Sequence, residues 1–187
     1  MHTKESIRKI YLSQRDAISS VAQTLASARI CQKILALHLY QTAKHIAFYH
    51  AIGKEICLET LLLDALHQHK HVYLPVIQPH ETLHFVAFQR EDLLTLNAFN
   101  ILEPIHQHPV AIQTLDLLLA PLVAFDKTGV RLGRGKGYYD KTFMYSKPKK
   151  IIGIAYACQY YPNSLPHDAW DIPLDGVITE ETIEWFS

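Results

Sequence analysis

Apolar residues near the amino end recur at helical spacing: Ile7, Ile10, Tyr11, Ala17 and Ile18 predict a first helix over 3–18 with one buried face. Ser19 or Ser20 can cap a second helix. Its apolar residues form two stripes, Val21, Leu25, Ala28, Leu35 and Leu39 on one and Ile30, Ile34 and Leu37 on the other, so burial on two sides is expected. The period then changes. Residues 45–52 read as a strand, and Leu58, Leu61, Leu62, Ala65 and Leu66 mark a helix that runs into His-Gln-His-Lys-His. Residues 71–77 and 83–88 are β-rich, while 115–120 and 150–157 are near-continuous apolar runs of the kind that suits strands covered on both faces. Strand and helix signals in alternation predict a three-layer α/β/α sandwich with a mostly parallel sheet, one unit over 1–187. The proline-containing segments 75–79 and 104–109 read as loops, too short to divide the chain.

One stretch departs from this plan. Residues 117–141, L-L-L-A-P-L-V-A-F-D-K-T-G-V-R-L-G-R-G-K-G-Y-Y-D-K, begin as a buried strand and end as a helix. Between the two, Gly129, Gly133, Gly135 and Gly137 free the backbone while Lys127, Arg131, Arg134 and Lys136 bring positive charge to the same turn. Glycines that let N–H groups approach a ligand, followed by a helix amino terminus, suit a phosphate cradle. The spacing matches neither Walker A nor G-x-G-x-x-G, and a merely flexible turn is the plain alternative.

Around this stretch lie residues with two readings each. Asp140 suits Mg²⁺ beside phosphates or a first-turn acid favoured by the helix dipole. Asp175 is a second metal carboxylate or the start of an Asx turn before Gly176. Tyr138 is the better ring platform and Tyr139 the one to pack inward. Glu55, between a strand end and a helix start, can read donors on a substrate or serve as a plain first-turn acid. Lys4 and Arg8 are like charges four apart on a helix, which an anion between them would reconcile and a solvated edge would not require. His67, His69 and His71, with His106 and His108, fit a helix end and a Pro-rich loop better than a metal site.

Charge sharpens the picture. Lys plus Arg and Asp plus Glu are 18 each, yet 126–150 hold eight basic residues and two acidic ones, 8 − 2 = +6, leaving −6 elsewhere. One basic segment on a neutral chain suits a polyphosphate better than long nucleic acid. Three cysteines without C-x-x-C spacing indicate neither a disulfide framework nor zinc, and the longest apolar run is too short to span a bilayer. A cytoplasmic, monomeric protein is expected, without membrane or nucleic-acid partners.

The block P-L-V-A-F-D-x-x-G-x-R-L-G-R-G-K-G-Y-Y-D-K resembles that of the 5-formyltetrahydrofolate cyclo-ligase family, with K-E-S-I-R, G-K-E-I, Y-L-P-V and W-D-I-P-L-D-G-V-I-T extending the similarity over most of the chain. The resemblance implies ATP- and Mg²⁺-dependent closure of 5-formyltetrahydrofolate, with or without a polyglutamate tail, to 5,10-methenyltetrahydrofolate, with ADP and phosphate released. By position it implies that Lys4, Arg8, Arg131, Leu132, Gly133, Arg134, Gly135, Lys136, Gly137, Tyr138 and Tyr139 meet ATP. It implies that Glu55, Arg134 and Tyr138 meet the folate; His50, which follows no pattern of the family, is a further substrate-site candidate. Asp140 and Asp175 would hold the metal, and Lys136, Arg134 and Tyr138 would serve the chemistry. A non-catalytic nucleotide or folate sensor and a nucleotide-independent sugar-phosphate isomerase remain the alternatives.

Overall fold

The computed structural model describes residues 3–105 and 108–186; His106, among the histidines considered above, lies outside the described residues. Helix α1 spans Lys4–Asp16, with the Thr3 side chain accepting from the Ser6 N–H, and α2 spans Ser20–Ala36, capped in the same way by Ser19 on Ala22. Each cap satisfies a donor that the first helical turn leaves without a partner. The predicted second helix breaks at Leu37, which is extended, and resumes as α3, His38–Thr42.

Strand β1, His45–Ala47, is followed by α4, Glu59–His67, then β2, His71–Gln78, and β3, Thr82–Phe88. A small hairpin, β4 (Leu94–Leu96) and β5 (Leu102–Pro104), precedes β6, Leu117–Pro121. A second hairpin, β7 (Ala124–Phe125) and β8 (Arg131–Leu132), leads to α5, Tyr138–Phe143. The chain closes with β9 (Ile151–Ile154), β10 (Gly176–Ile178) and β11 (Ile183–Trp185).

Seven strands form the main sheet in the order β11-β10-β9-β6-β1-β2-β3, with the five inner strands parallel and both edges antiparallel. Residues alternate between its faces. Ile46, Val72, Leu74, Leu117, Leu119, Ile152 and Ile154 pack under α2, α3 and α4. Ala47, Tyr73, Leu118, Ala120, Ile151 and Val177 face the other way, where the six-residue α5 and irregular chain make a thinner third layer. The first stripe is split: Leu35 and Leu39 pack against the core, whereas Val21 and Leu25 stand 71% and 57% exposed, because among the described residues no further layer covers the amino half of α2.

Pro75 also departs from the loop expected at 75–79. It lies inside β2, paired with Phe85 of the edge strand, just past the last residue that β1 matches, Tyr73. The Phe48 N–H bonds the Tyr73 carbonyl, and Pro75 has no N–H to continue that ladder. The chain after β1 is thus released as a loop at the carboxyl end of the sheet.

Candidate active site

Two loops from the carboxyl ends of neighbouring parallel strands meet here, where open α/β sheets gather ligands. One is residues 48–58 after β1; the other descends from β6 through the β7–β8 hairpin to residues 133–137. The predicted strand-to-helix turn is therefore longer than its spacing implied. Lys127 and Gly129 sit at the hairpin tip, where the Asp126 side chain accepts from Thr128 N–H and Oγ1. Gly129 has φ 82°, and a Cβ there would lie 2.9 Å from the Leu174 carbonyl. It serves that close packing and not the cradle. What remains is Gly133–Gly137, with φ 108° at Gly135 and 69° at Gly137, and none of its backbone N–H groups donates to an acceptor among the described residues.

Helix α1 lies along this loop. Arg8 Nε donates to the Gly133 carbonyl at 2.8 Å, and its guanidinium rests within van der Waals reach of Gly135. Lys4 bonds Asp168 and Asp171 at 2.7 and 2.6 Å, so the anion expected between Lys4 and Arg8 is replaced by carboxylates of the chain. Burial works against the Lys4 charge, but the bonds to Asp168 and Asp171 carry its pKa above the ordinary value.

Glu55 is the hub. Only 5% exposed, it accepts at Oε2 from the Ile52 N–H, at 3.0 Å, and at Oε1 from Arg134, whose Nε and Nη2 both stand at 3.0 Å. The same Oε1 faces Arg15 Nη1 at 3.5 Å. Arg15 is 2% exposed, reaches the Leu122 carbonyl at 3.4 Å, and leaves its Nε without a partner among the described residues. Gln23 Nε2 holds the Gly53 and Glu55 carbonyls, and the Tyr156 hydroxyl holds that of Lys54, so the acid's backbone is fixed from two further elements.

The remaining candidates separate. Arg131, buried, gives Nη1 to the Ile172 carbonyl and Nη2 to Asp140 Oδ1 at 2.9 Å, an oxygen that also accepts from the Ile172 N–H. Leu132 is a core residue beside Ile7 and Leu165, leaving only its backbone for a ligand. Lys136 stands 3.4 Å from Glu81, which Lys141 also contacts. Asp175 is not brought to Asp140: it pairs with Lys150 and accepts from the Ile151 N–H, both at 2.8 Å, at the amino ends of β9 and β10. Lys149 pairs with Asp116 at that same end of the sheet. The basic segment thus straddles the molecule, because β9 starts on the side opposite the cradle.

Tyr139 packs on Phe143, and burial raises its pKa, with Glu55 adding to the rise and Arg131 opposing it. Tyr138 meets the ring of Phe99 edge-on at 6.4 Å. His50 holds a buried Nε2 without a partner among the described residues, and burial lowers its pKa against the pull of Glu59. Sequence reasoning missed Arg15, Glu81, Phe99, Asp168 and Asp171. Arg15 alone carried a signal: positions 4, 8 and 15 fall within about 40° on a helix turning 100° per residue.

A buried acid bridged to a glycine-rich cationic loop, on a mixed α/β sheet, defines a ligand-binding enzyme site of the α/β class. The family model for the 5-formyltetrahydrofolate cyclo-ligase family matches residues 1–180, and the chain belongs to that family. It is 38% identical over 182 residues to the 5-formyltetrahydrofolate cyclo-ligase of Haemophilus influenzae, covering 94% of each chain. To the mouse (Mus musculus) enzyme of that name it is 27% identical over 192 residues, covering 96% and 94%. Among solved structures, the 5,10-methenyltetrahydrofolate synthetase of Aquifex aeolicus superposes with a TM-score of 0.86 at 32% identity, over 97% of this chain and 92% of the other. That of Mycoplasma pneumoniae gives 0.77 at 28%, over 96% and 100%.

Proposed function

We propose that the protein closes 5-formyltetrahydrofolate to 5,10-methenyltetrahydrofolate at the expense of ATP. The observation that carries this is Arg134, which belongs to the glycine cradle yet ends on Glu55 of the facing loop, so one residue spans two candidate subsites. Glu55, whose Oε2 accepts only from the Ile52 N–H among the described residues and so keeps one direction open, and whose backbone is fixed, is suited to an N–H donor of a pterin. His50, with its orphaned Nε2, lies five residues earlier in the same loop.

A formamide oxygen is a poor leaving group, and ATP supplies its activation: the formyl oxygen takes the γ-phosphoryl group, ADP departs, and N10 then attacks the carbon, giving up its proton to the departing phosphate or solvent as the C–O bond breaks. Nothing covalent is asked of the protein; phosphoryl transfer needs position and neutralised charge. Arg8, Lys136 and the free N–H groups of Gly133–Gly137 neutralise the phosphates. Arg134 orients the formyl oxygen. Arg131 acts one step removed by holding Asp140, since its guanidinium is already committed. Tyr138 with Phe99 walls the site from water.

The donor set also fits Mg²⁺. Asp140 Oδ2 has no partner among the described residues, and this ion is commonly held by one or two carboxylates together with substrate phosphates and waters. Asp140 would hold it, and it would screen the phosphate charge. Asp175, held by Lys150 and the Ile151 N–H at the amino ends of β9 and β10, is not part of this donor set.

The test is direct. Protein mixed with 5-formyltetrahydrofolate, ATP and Mg²⁺ should develop the near-ultraviolet absorption of the methenyl product; no ATP-dependent rise refutes the reading. Tight ligand binding without turnover would mark a sensor instead. Asp140→Asn should raise the Mg²⁺ concentration needed for half-maximal rate.

A further inference from the structure

We propose that Glu81 is an internal competitor for the cradle's exposed lysines and so sets how tightly the site takes a polyphosphate. The inference rests on the nucleotide reading above. Nearly every cation brought to the cradle already has a carboxylate of this chain: Lys4 has Asp168 and Asp171, Arg131 has Asp140, Arg134 has Glu55, and Lys136 with Lys141 has Glu81. Arg131 and Glu55 are buried, so their pairs belong to the fold. The Glu81 cluster lies in solvent, with the side chains of Lys136, Glu81 and Lys141 exposed by 59%, 40% and 42%. Of the ion pairs named, it is the cluster whose members are all at least 40% exposed, against 28% for Lys4 and 16% for Asp171, and so the one a ligand opens most easily.

Glu81 is also delivered to this place by the backbone. It ends the short 3-10 turn Pro79–Glu81 between β2 and β3, where His80 and Glu81 both adopt positive φ, 65° and 58°. The turn is held against α5 by the Leu83 N–H, which donates to Thr142 Oγ1 at 2.8 Å. Lys141 in turn lies over Gly137, its Cε within 3.7 Å of where a Cβ would be. One carboxylate thereby lies across two ammonium groups at the mouth of the glycine loop. Hydrogen bonds from Lys141 and then Lys136 lower its pKa, so it is ionised at neutral pH and occupies both lysines. A nucleotide's phosphate chain, with several charges, displaces a single carboxylate; the carboxylate subtracts from its affinity.

Titration of the full-length protein with MgATP by calorimetry tests this. Glu81→Gln should bind about two- to five-fold more tightly than wild type, the range an exposed ion pair commands. Glu81→Asn, whose side chain tolerates positive φ, should give the same gain and controls for backbone strain. In a Lys136→Ala/Lys141→Ala background, Glu81→Gln should change nothing. Equal or weaker binding by both Glu81 variants overturns the proposal, as does an undiminished gain in the lysine-free background, which would make the effect one of net charge. Failure of wild type and all variants alike to bind MgATP overturns the nucleotide reading itself.

Discussion

The Arg15–Glu55–Arg134 cluster makes an asymmetric prediction about stability. Glu55→Gln keeps shape and the acceptor for the Ile52 N–H but removes the charge that Arg15 faces. Arg15 is sealed from water and its Nε already lacks a partner, so it cannot recover elsewhere. Stranding a buried charge costs about 3–5 kcal/mol, and the 3.5 Å spacing with the residual bond to Leu122 places this case near the lower figure, about 3 kcal/mol. Arg15→Met removes the other partner, yet Glu55 retains Arg134 and the Ile52 N–H, both at 3.0 Å, so the loss should be about 1 kcal/mol, close to that of an ordinary hydrogen bond. At about 2–4 °C per kcal/mol for a chain of this size, Glu55→Gln should melt roughly 6–12 °C lower and Arg15→Met roughly 2–4 °C lower. The double variant should melt above Glu55→Gln alone, since no stranded cation remains. Calorimetric melts of the four proteins decide it. Equal losses in the two single variants, or strict additivity in the double, would refute the view that Arg15 depends on Glu55.

Three further expectations follow from other places in the molecule. Lys136→Ala should weaken MgATP binding while lowering the melting temperature by no more than about 2–4 °C, because an exposed ion pair contributes at most about 1 kcal/mol; unchanged nucleotide affinity would remove Lys136 from the site. Gly153→Ala would place a methyl 2.6 Å from Leu174 Cδ1 and 2.8 Å from Leu122 Cδ2, and such overpacking should cost about 1–3 kcal/mol in a urea titration. Burial alone would raise the Asp116 carboxyl, but Lys149 and the N–H groups of His45 and Lys44 outweigh it and lower the pKa from 3.8 to about 2. The folded state therefore holds this proton less well than the unfolded chain, so the contribution is complete above pH about 4 and lost as pH falls toward 2; the stabilities of wild type and Asp116→Asn should converge over that window.

Much of the fold was legible in the chain because it rests on local periodicity. The first two helices with the cap at Ser19, the buried strand β6 and the mixed α/β plan all follow from local signals: helical apolar spacing, a capping serine and a continuous apolar run. Errors arose where a neighbour in space overrode the local signal. Val21 and Leu25 carry a core-like pattern but meet no second helical layer among the described residues, and Pro75 reads as a loop yet sits in β2 because β1 ends before the missing N–H matters.

The candidate site divides in the same way. The sequence by itself determined that 133–137 would be a glycine-rich, cationic segment before a helix, since backbone freedom and charge are properties of the residues there. Only the tertiary structure decided which charges face it. Arg8 arrives from α1 and Arg134 leaves for Glu55 across a gap of 79 residues in sequence, while Lys149 and Lys150, close to the cradle in the chain, lie at the other end of the strands. Charge along a chain says nothing of direction until the sheet is assembled, because a parallel strand carries its two ends to opposite sides of the molecule.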